Sequence, residues 1–484
     1  MARRRRRHQS GRLTVEFPAI PSLRFDNRTG FDALHFDTVD QNGVAFHVIA
    51  AKTAYALRPG DAPGQALLIP VDEAALLHVT DVHHGDDIEQ SVRYENDLAP
   101  YKPLCDIVVV GDAHPPAGAA APWFDVSLRV QRPDLPPRLP ERPHPLNPWQ
   151  PLSPEVYQQW QRELAAAERT PQPGEVLVDK TLRVHGERRL HRHAAPLRWL
   201  QGTPWRLGSA AASSRVPLRY EYAFGGECRV EAADAFAAQI PDQHKLTREQ
   251  QAAYPGTNNP PIAHDACHGN PVGAGFTRDW YVQASGIASL PAPRIEYPAM
   301  PFTAKAFWQS ACGNEPFTVA GMGYVGRGWL PRRNLIGHVD IKRTWHDDDI
   351  PLLPKDFDFR YWNGAPADQQ CPHLEGGERF VLVNLCAADA GYAGADADGN
   401  SVVSFTLPRQ ALFALTAGAD GVVSALPLAI DTVVIDLDNA QVDLTWRLAI
   451  VADGAFDEAR LHHAATPEAL ARLHELTTSA AALS

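Results

Sequence analysis

No segment approaches the roughly 18 consecutive apolar residues that a membrane-spanning helix requires. The strongest candidate, residues 44–57, is interrupted by His47 and Lys52. Five arginines at positions 3–7 carry the charge of a signal peptide's first region. Polar residues and prolines then occupy positions 11–27, where an apolar stretch would have to follow, so export by that route is not expected. Cysteine is sparse: six residues (105, 228, 267, 312, 371 and 386), with no Cys-x-x-Cys pair. That usage predicts reduced thiols, not a disulfide framework. Also missing are a Gly-x-Ser-x-Gly nucleophile elbow, a phosphate-binding Gly-x-x-x-x-Gly-Lys-Ser/Thr loop and any repeat of fixed period.

What remains is a chain of 484 residues with 45 Lys+Arg against 57 Asp+Glu, a net charge of −12. This is the balance of a soluble, folded, mildly acidic protein of two to four domains, and it argues against a generally basic nucleic-acid binder. Proline is abundant, at 42 residues, which interrupts long helices and favours short strands joined by turns. Residues 1–12 read as a basic mobile tail, with an electrostatic handle for an acidic partner as the functional alternative.

Strand signals dominate. Phe124, Val126, Leu128 and Val130 alternate with Asp125, Ser127 and Arg129, the period of a half-buried strand. Residues 106–111 form a short apolar run ending in glycine. Val433 and Ile435, then Val442, Leu444, Trp446 and Leu448, flank the turn residues Asp438 and Asn439 and predict a hairpin. Helix starts are few: Ser153-Pro154-Glu155, Thr466-Pro467-Glu468 and a weaker one over residues 247–254. The expected fold is mainly β, as a β-sandwich or twisted antiparallel sheets with a few helical insertions, with α+β as the alternative. The expected organisation is a β-rich body over 13–455, with packed subdomains at about 13–215 and 216–455, and a C-terminal helix and tail over 456–484. A proline-rich insertion over 131–174 sits between two strands.

Several motifs invite chemistry. Residues 321–326 match the Gly-x-Gly-x-x-Gly pattern of dinucleotide binding, but Gly328 and Pro331 follow where a helix is required, so a glycine-rich loop is expected. His264 and His268 have helical metal spacing within loop-forming flanks. The adjacent His83 and His84 would face opposite sides of a strand and cannot readily share an ion. Asp347 to Asp349 read as a solvated loop, whereas Asp356 and Asp358 would share a face if extended, leaving a hydrolase that uses these carboxylates or the His264–His268 region as an alternative.

Three aromatic, polar and glycine-rich segments stand out: 217–226, 270–276 and 356–366. In the first, Leu218, Tyr220, Tyr222 and Phe224 would form one strand face, with Arg219 and Glu221 on the other. Their aromatics either anchor the core while the charges pair, or their polar faces converge into one cleft.

These segments, together with Glu95-Asn96-Asp97-Leu98-Ala99-Pro100-Tyr101-Lys102-Pro103 and residues 106–113, resemble the DUF2169 proteins found in bacterial type VI secretion gene clusters. Blocks agree in order over residues 20–385, and less distinctly to about 451. The resemblance implies a cytoplasmic adaptor or chaperone that binds a toxic effector, often one with a PAAR-like tip domain, and helps mount it on the VgrG spike. It implies no catalytic residue, cofactor or metal, and no nucleic-acid or membrane partner. The candidate binding residues carried by the matching blocks are Arg219, Glu221, Phe224, Asn270, Phe276, Asp356, Asp358, Arg360, Tyr361, Asn363 and Gln369. The insertion at 131–174 departs from the family pattern, as does the lack of a pentapeptide-repeat tail. An adaptor needs broad surface and aromatic anchors, for which Trp160, Trp199, Trp205 and Trp329 are candidates. A structural component carried with the spike is a further alternative.

Overall fold

The computed structural model describes residues 20–144, 152–167, 172–193, 202–313, 317–338, 353–418, 423–466 and 468–473. Two large sheets dominate, and the protein is mainly β. The first has seven strands, in the order Asp32–Val39, Ala45–Pro59, Gln441–Val451, Ala429–Asp436, Cys105–Val110 and Gln370–Cys371, with Ala66–Pro70 added to the far end of Ala45–Pro59. Its pairings are antiparallel except between Ala429–Asp436 and Cys105–Val110. The second is a six-stranded antiparallel sheet built on Trp123–Gln131, Val176–His185, Arg379–Val383 and Ser401–Thr406.

The two sheets share one core. Ile49, Ile107, Val433 and Leu444 of the first join Val126, Leu128, Leu182 and Phe380 of the second in a single apolar cluster. The alternation over 123–131 is confirmed: Phe124, Val126, Leu128 and Val130 are buried. Truncating such a side chain, as in Leu128→Ala, costs about 2–5 kcal/mol. Strand Cys105–Val110 is buried throughout, covered on both faces, and apart from Asp106 it is apolar. Ile107 and Val109 enter the main core, while Val108 and Val110 pack with Tyr324, Ala365 and Val434. The hairpin of Ala429–Asp436 and Gln441–Val451 forms as expected, its turn held by Asn439 donating to the Asp436 carboxylate at 2.7 Å.

The insertion also lies where the sequence placed it. Trp123–Gln131 and Val176–His185 are antiparallel neighbours, and helix Pro154–Ala167 stands between them in the chain with no fully buried residue. Helix Arg248–Ala252 begins with a capping box formed by Thr247 and Gln250. Thr466 caps the C-terminal helix through its hydroxyl, which accepts from the Ala469 N–H at 3.2 Å.

Three expectations need correction. Residues 217–226 are not one strand: Tyr220–Tyr222 is a 3-10 turn between two short extended pieces. Residues 356–362 are not extended either. The Asp358 carboxylate accepts from the Arg360 N–H and opens a 3-10 turn over Phe359–Trp362. Residues 458–464, assigned to the C-terminal helix and tail, form a strand of a four-stranded sheet with Arg24–Asn27, Ala411–Ala417 and Val423–Pro427. Both large sheets also draw strands from either side of residue 215. The arginines at 3–7 and Asp347 to Asp349 lie outside the described residues.

Candidate functional site

The segment from Glu95 to Asp106 threads charge into the interior. Glu95 accepts from Arg327 at 2.8 Å and Arg332 at 2.7 Å. Asp97 pairs with Lys52 at 2.6 Å, Lys102 with Asp106 at 2.8 Å, and Arg447 with Asp431 at 2.6 Å. Arg447 also donates to the backbone oxygens of Asp97 and Ala99. Burial alone would raise the Glu95 carboxyl, but the guanidinium groups of Arg332 and Arg327 outweigh it and hold it below its ordinary value. Burial likewise opposes the Lys102 charge, and Asp106, Asp431 and Glu95 overcome it, holding the ammonium above its ordinary value. Such pairs cost desolvation and are weak evidence for net stability, yet losing one partner leaves the other uncompensated.

Next to this network a cavity of about 570 Å³ opens between Tyr220, Gly269, Tyr297, the loop 318–335 and residues 360–370. Its wall is mostly apolar or aromatic, with Arg360 and Asp368 among the charged residues lining it. Lys180 lies beneath, fully buried, donating to the Gly321 carbonyl at 2.6 Å and to Asp368 at 2.7 Å. Burial lowers the Lys180 ammonium to about 8, against the opposing pull of Asp368. The Tyr297 hydroxyl donates to the other Asp368 oxygen at 2.9 Å, and burial with that carboxylate raises the phenol.

The candidate residues from the sequence fall into two groups. Phe224, Asn270, Asn363 and Gln369 are buried and structural. Asn270 donates to the carbonyls of Tyr220 and Phe224, and Gly225 packs so closely that any Cβ there would overlap the Asn270 carbonyl oxygen. Asn363 donates to the Leu104 carbonyl at 2.7 Å and to Asp106 at 3.1 Å. Gln369 ties the Ile107 and Met322 carbonyls together, holding the glycine-rich loop against Cys105–Val110. No α-helix follows that loop among the described residues up to 338, only a 3-10 segment over Arg332–Ile336, in keeping with the reading of residues 321–326 as a loop.

The second group is more exposed. Arg219 raises the cost of protonating buried His84, whose imidazole is lowered to about 4 by burial first and by Arg219 next. Glu221 accepts from the Ser91 N–H and hydroxyl at 2.7 and 2.8 Å. Phe276 packs beneath Arg278. Asp356 accepts from the His338 N–H and ring nitrogen, whereas Asp358 pairs with Arg360. The two carboxylates are thus engaged by different side chains. The Tyr361 carbonyl accepts from Arg332, whose guanidinium lies over the Tyr361 ring. Of the eleven, Arg360 and Asn363 line the 570 Å³ cavity.

His264 lies on a strand and pairs with Glu227 at 2.9 Å, so the helical metal spacing does not arise. Among the expected tryptophan anchors, Trp205 is 1% exposed and packs on Phe307 in the core. Trp329 is edge-on to Tyr220 and Trp160 donates to the Pro140 carbonyl, both partly buried; Trp199 lies outside the described residues. Among the described residues, Trp123, Tyr101 and Tyr157 are exposed aromatics that were not proposed as anchors. Trp123 sits on the polar face of the alternating strand, a signal that was present.

A family model described as an uncharacterized protein conserved in bacteria, DUF2169, matches residues 42–139 and 172–447. The chain belongs to the DUF2169 family. The unmatched residues 140–171 of this DUF2169 protein fall within the insertion and include helix Pro154–Ala167. No curated protein and no solved structure matches the chain. No helix among the described residues is long and apolar enough to cross a membrane.

Proposed function

We propose that this DUF2169 protein is a non-enzymatic, cytoplasmic type VI secretion adaptor that binds a cognate effector, one with a PAAR-like tip domain, and helps seat it on the VgrG spike. The carrying observation is the open 570 Å³ cavity, whose wall is mainly apolar and aromatic while Lys180, Asp368 and Tyr297 bond one another. A partner's apolar anchor with a polar rim suits that lining. The carboxylates of a hydrolase reading, Asp356 and Asp358, are each engaged by a different side chain, His338 and Arg360. An exposed edge adds to the adaptor reading: strand Ala66–Pro70 presents Leu67 and Ile69 to solvent.

The test is capture of the effectors and spike proteins encoded beside the gene by the purified full chain. Specific, saturable binding of one effector supports the proposal. Failure to bind any of them overturns it. Recovery of the chain in the secreted fraction would instead favour a component carried with the spike.

A further inference from the structure

Away from the cavity, the hairpin of Asp32–Val39 and Ala45–Pro59 brings together two imidazoles and a carboxylate. Residues two apart on a strand share a face, so His35 and Asp37 point the same way, and the register sets His47 opposite Asp37. His47 Nδ1 lies 2.7 Å from Asp37 Oδ1, His35 Nε2 lies 3.0 Å from the same oxygen, and the two ring nitrogens are 3.3 Å apart. Three donor atoms of the right kinds therefore converge on one point.

From this geometry we propose that His35, Asp37 and His47 form a binding site for a borderline divalent cation, zinc above all. Zinc bonds of about 2.0–2.1 Å in a tetrahedron place ligand atoms roughly 3.3 Å apart, close to the separation of the two ring nitrogens; the Asp37 oxygen needs only a small outward shift. The set of two imidazoles and one carboxylate suits zinc and its neighbours better than the hard ions calcium and magnesium, which prefer all-oxygen shells. His47 is 1% exposed with Nδ1 turned to the cluster, and its buried Nε2 meets no hydrogen-bond partner. Asp37 is partly exposed, at 37%, which leaves a route for the ion and an open position for water. An ion there would tie the edge strand Asp32–Val39 to its neighbour through side chains as well as backbone.

The test uses chelator-stripped full-length protein and zinc chloride alone, followed by calorimetry and metal analysis after dialysis. One tightly held equivalent of zinc is expected, with affinity falling roughly tenfold or more in Asp37→Asn and in His35→Gln, and unchanged in His264→Gln, which lies elsewhere. Cobalt(II) added to the unmodified protein should give the intense visible absorption of a low-coordinate site, a readout that needs no variant to fold. Absence of that spectrum, absence of saturable zinc binding, or binding that survives both ligand variants would overturn the proposal. The trio would then be a hydrogen-bonded cluster in which Asp37 accepts from both rings.

Discussion

Arg332 Nη1 lies 2.7 Å from Glu95 Oε1, both side chains are buried, and 237 positions separate them in the chain. The contact joins the segment after Asp81 to the loop that walls the cavity, and Arg327 completes it from the same loop.

Replacing Glu95 should therefore be far more damaging than its small size suggests. Glu95→Gln leaves Arg332 without its countercharge and Arg327 with only Asp81 at 3.7 Å, and a loss of about 3–5 kcal/mol is expected. Urea unfolding of the variant against the parent measures it. A change under about 1 kcal/mol would show that solvent compensates the arginines.

Lys180 offers a pH signature. Its folded-state value of about 8 lies below the ordinary 10.5, so between those values the unfolded chain holds a proton that the folded chain has released. Stability from this group accordingly rises with pH across that window, and the charged lysine is a liability below it. Lys180→Met should remove the rise, so the difference in unfolding free energy between variant and parent should change between pH 8 and 10.5. Parallel curves would refute the assignment.

The insertion should be dispensable for folding. An antiparallel bridge between Leu135 and Gln172 closes its base, and helix Pro154–Ala167 buries no residue completely. Replacing residues 140–171 with a short Gly/Ser linker should shift stability by less than about 1 kcal/mol, read by thermal melting. If effector capture is lost while the melting curve stays put, the arm is part of the docking surface.

Ala367 lines the cavity and is exposed, so Ala367→Trp fills the cavity without disturbing the core. Capture of the effector should fall at least tenfold with stability within about 1 kcal/mol of the parent. Undiminished capture would move the docking site elsewhere on the surface.

Legibility in the sequence followed the physics of each element. The strand at 123–131 was readable because it buries one face of a regular pleat, so the period survives in the residue order. The hairpin at 429–451, whose first strand is buried on both faces, was readable from its apolar β-branched residues on either side of Asp438 and Asn439. The strand Glu458–Ala464 was not, because Glu458, Arg460, His462 and His463 mask a buried apolar set of only Ala459, Leu461 and Ala464. The segments at 217–226 and 356–362 alternate like strands but turn instead, since Asp358 offers the backbone a competing bond and Gly225 a close approach.

The candidate site was readable only as composition. Arg360 and Asn363 do line the cavity, but Lys180 was not singled out and its bond to Asp368 was not foreseen, because the pairing spans 188 positions and no local pattern announces it. The amides Asn270, Asn363 and Gln369 were expected in a binding cleft; they are buried and donate mainly to main-chain carbonyls, which no side-chain pattern encodes.

The central sheet seats the late hairpin of Ala429–Asp436 and Gln441–Val451 between two early strands, Ala45–Pro59 and Cys105–Val110. During synthesis those early strands leave the ribosome several hundred residues before the pair that must lie between them. Their apolar edges stay unsatisfied for much of translation, a condition that invites misassociation. A polypeptide arranged this way matures late and all at once, so a truncated product ending before residue 429 should require a holdase to remain in solution.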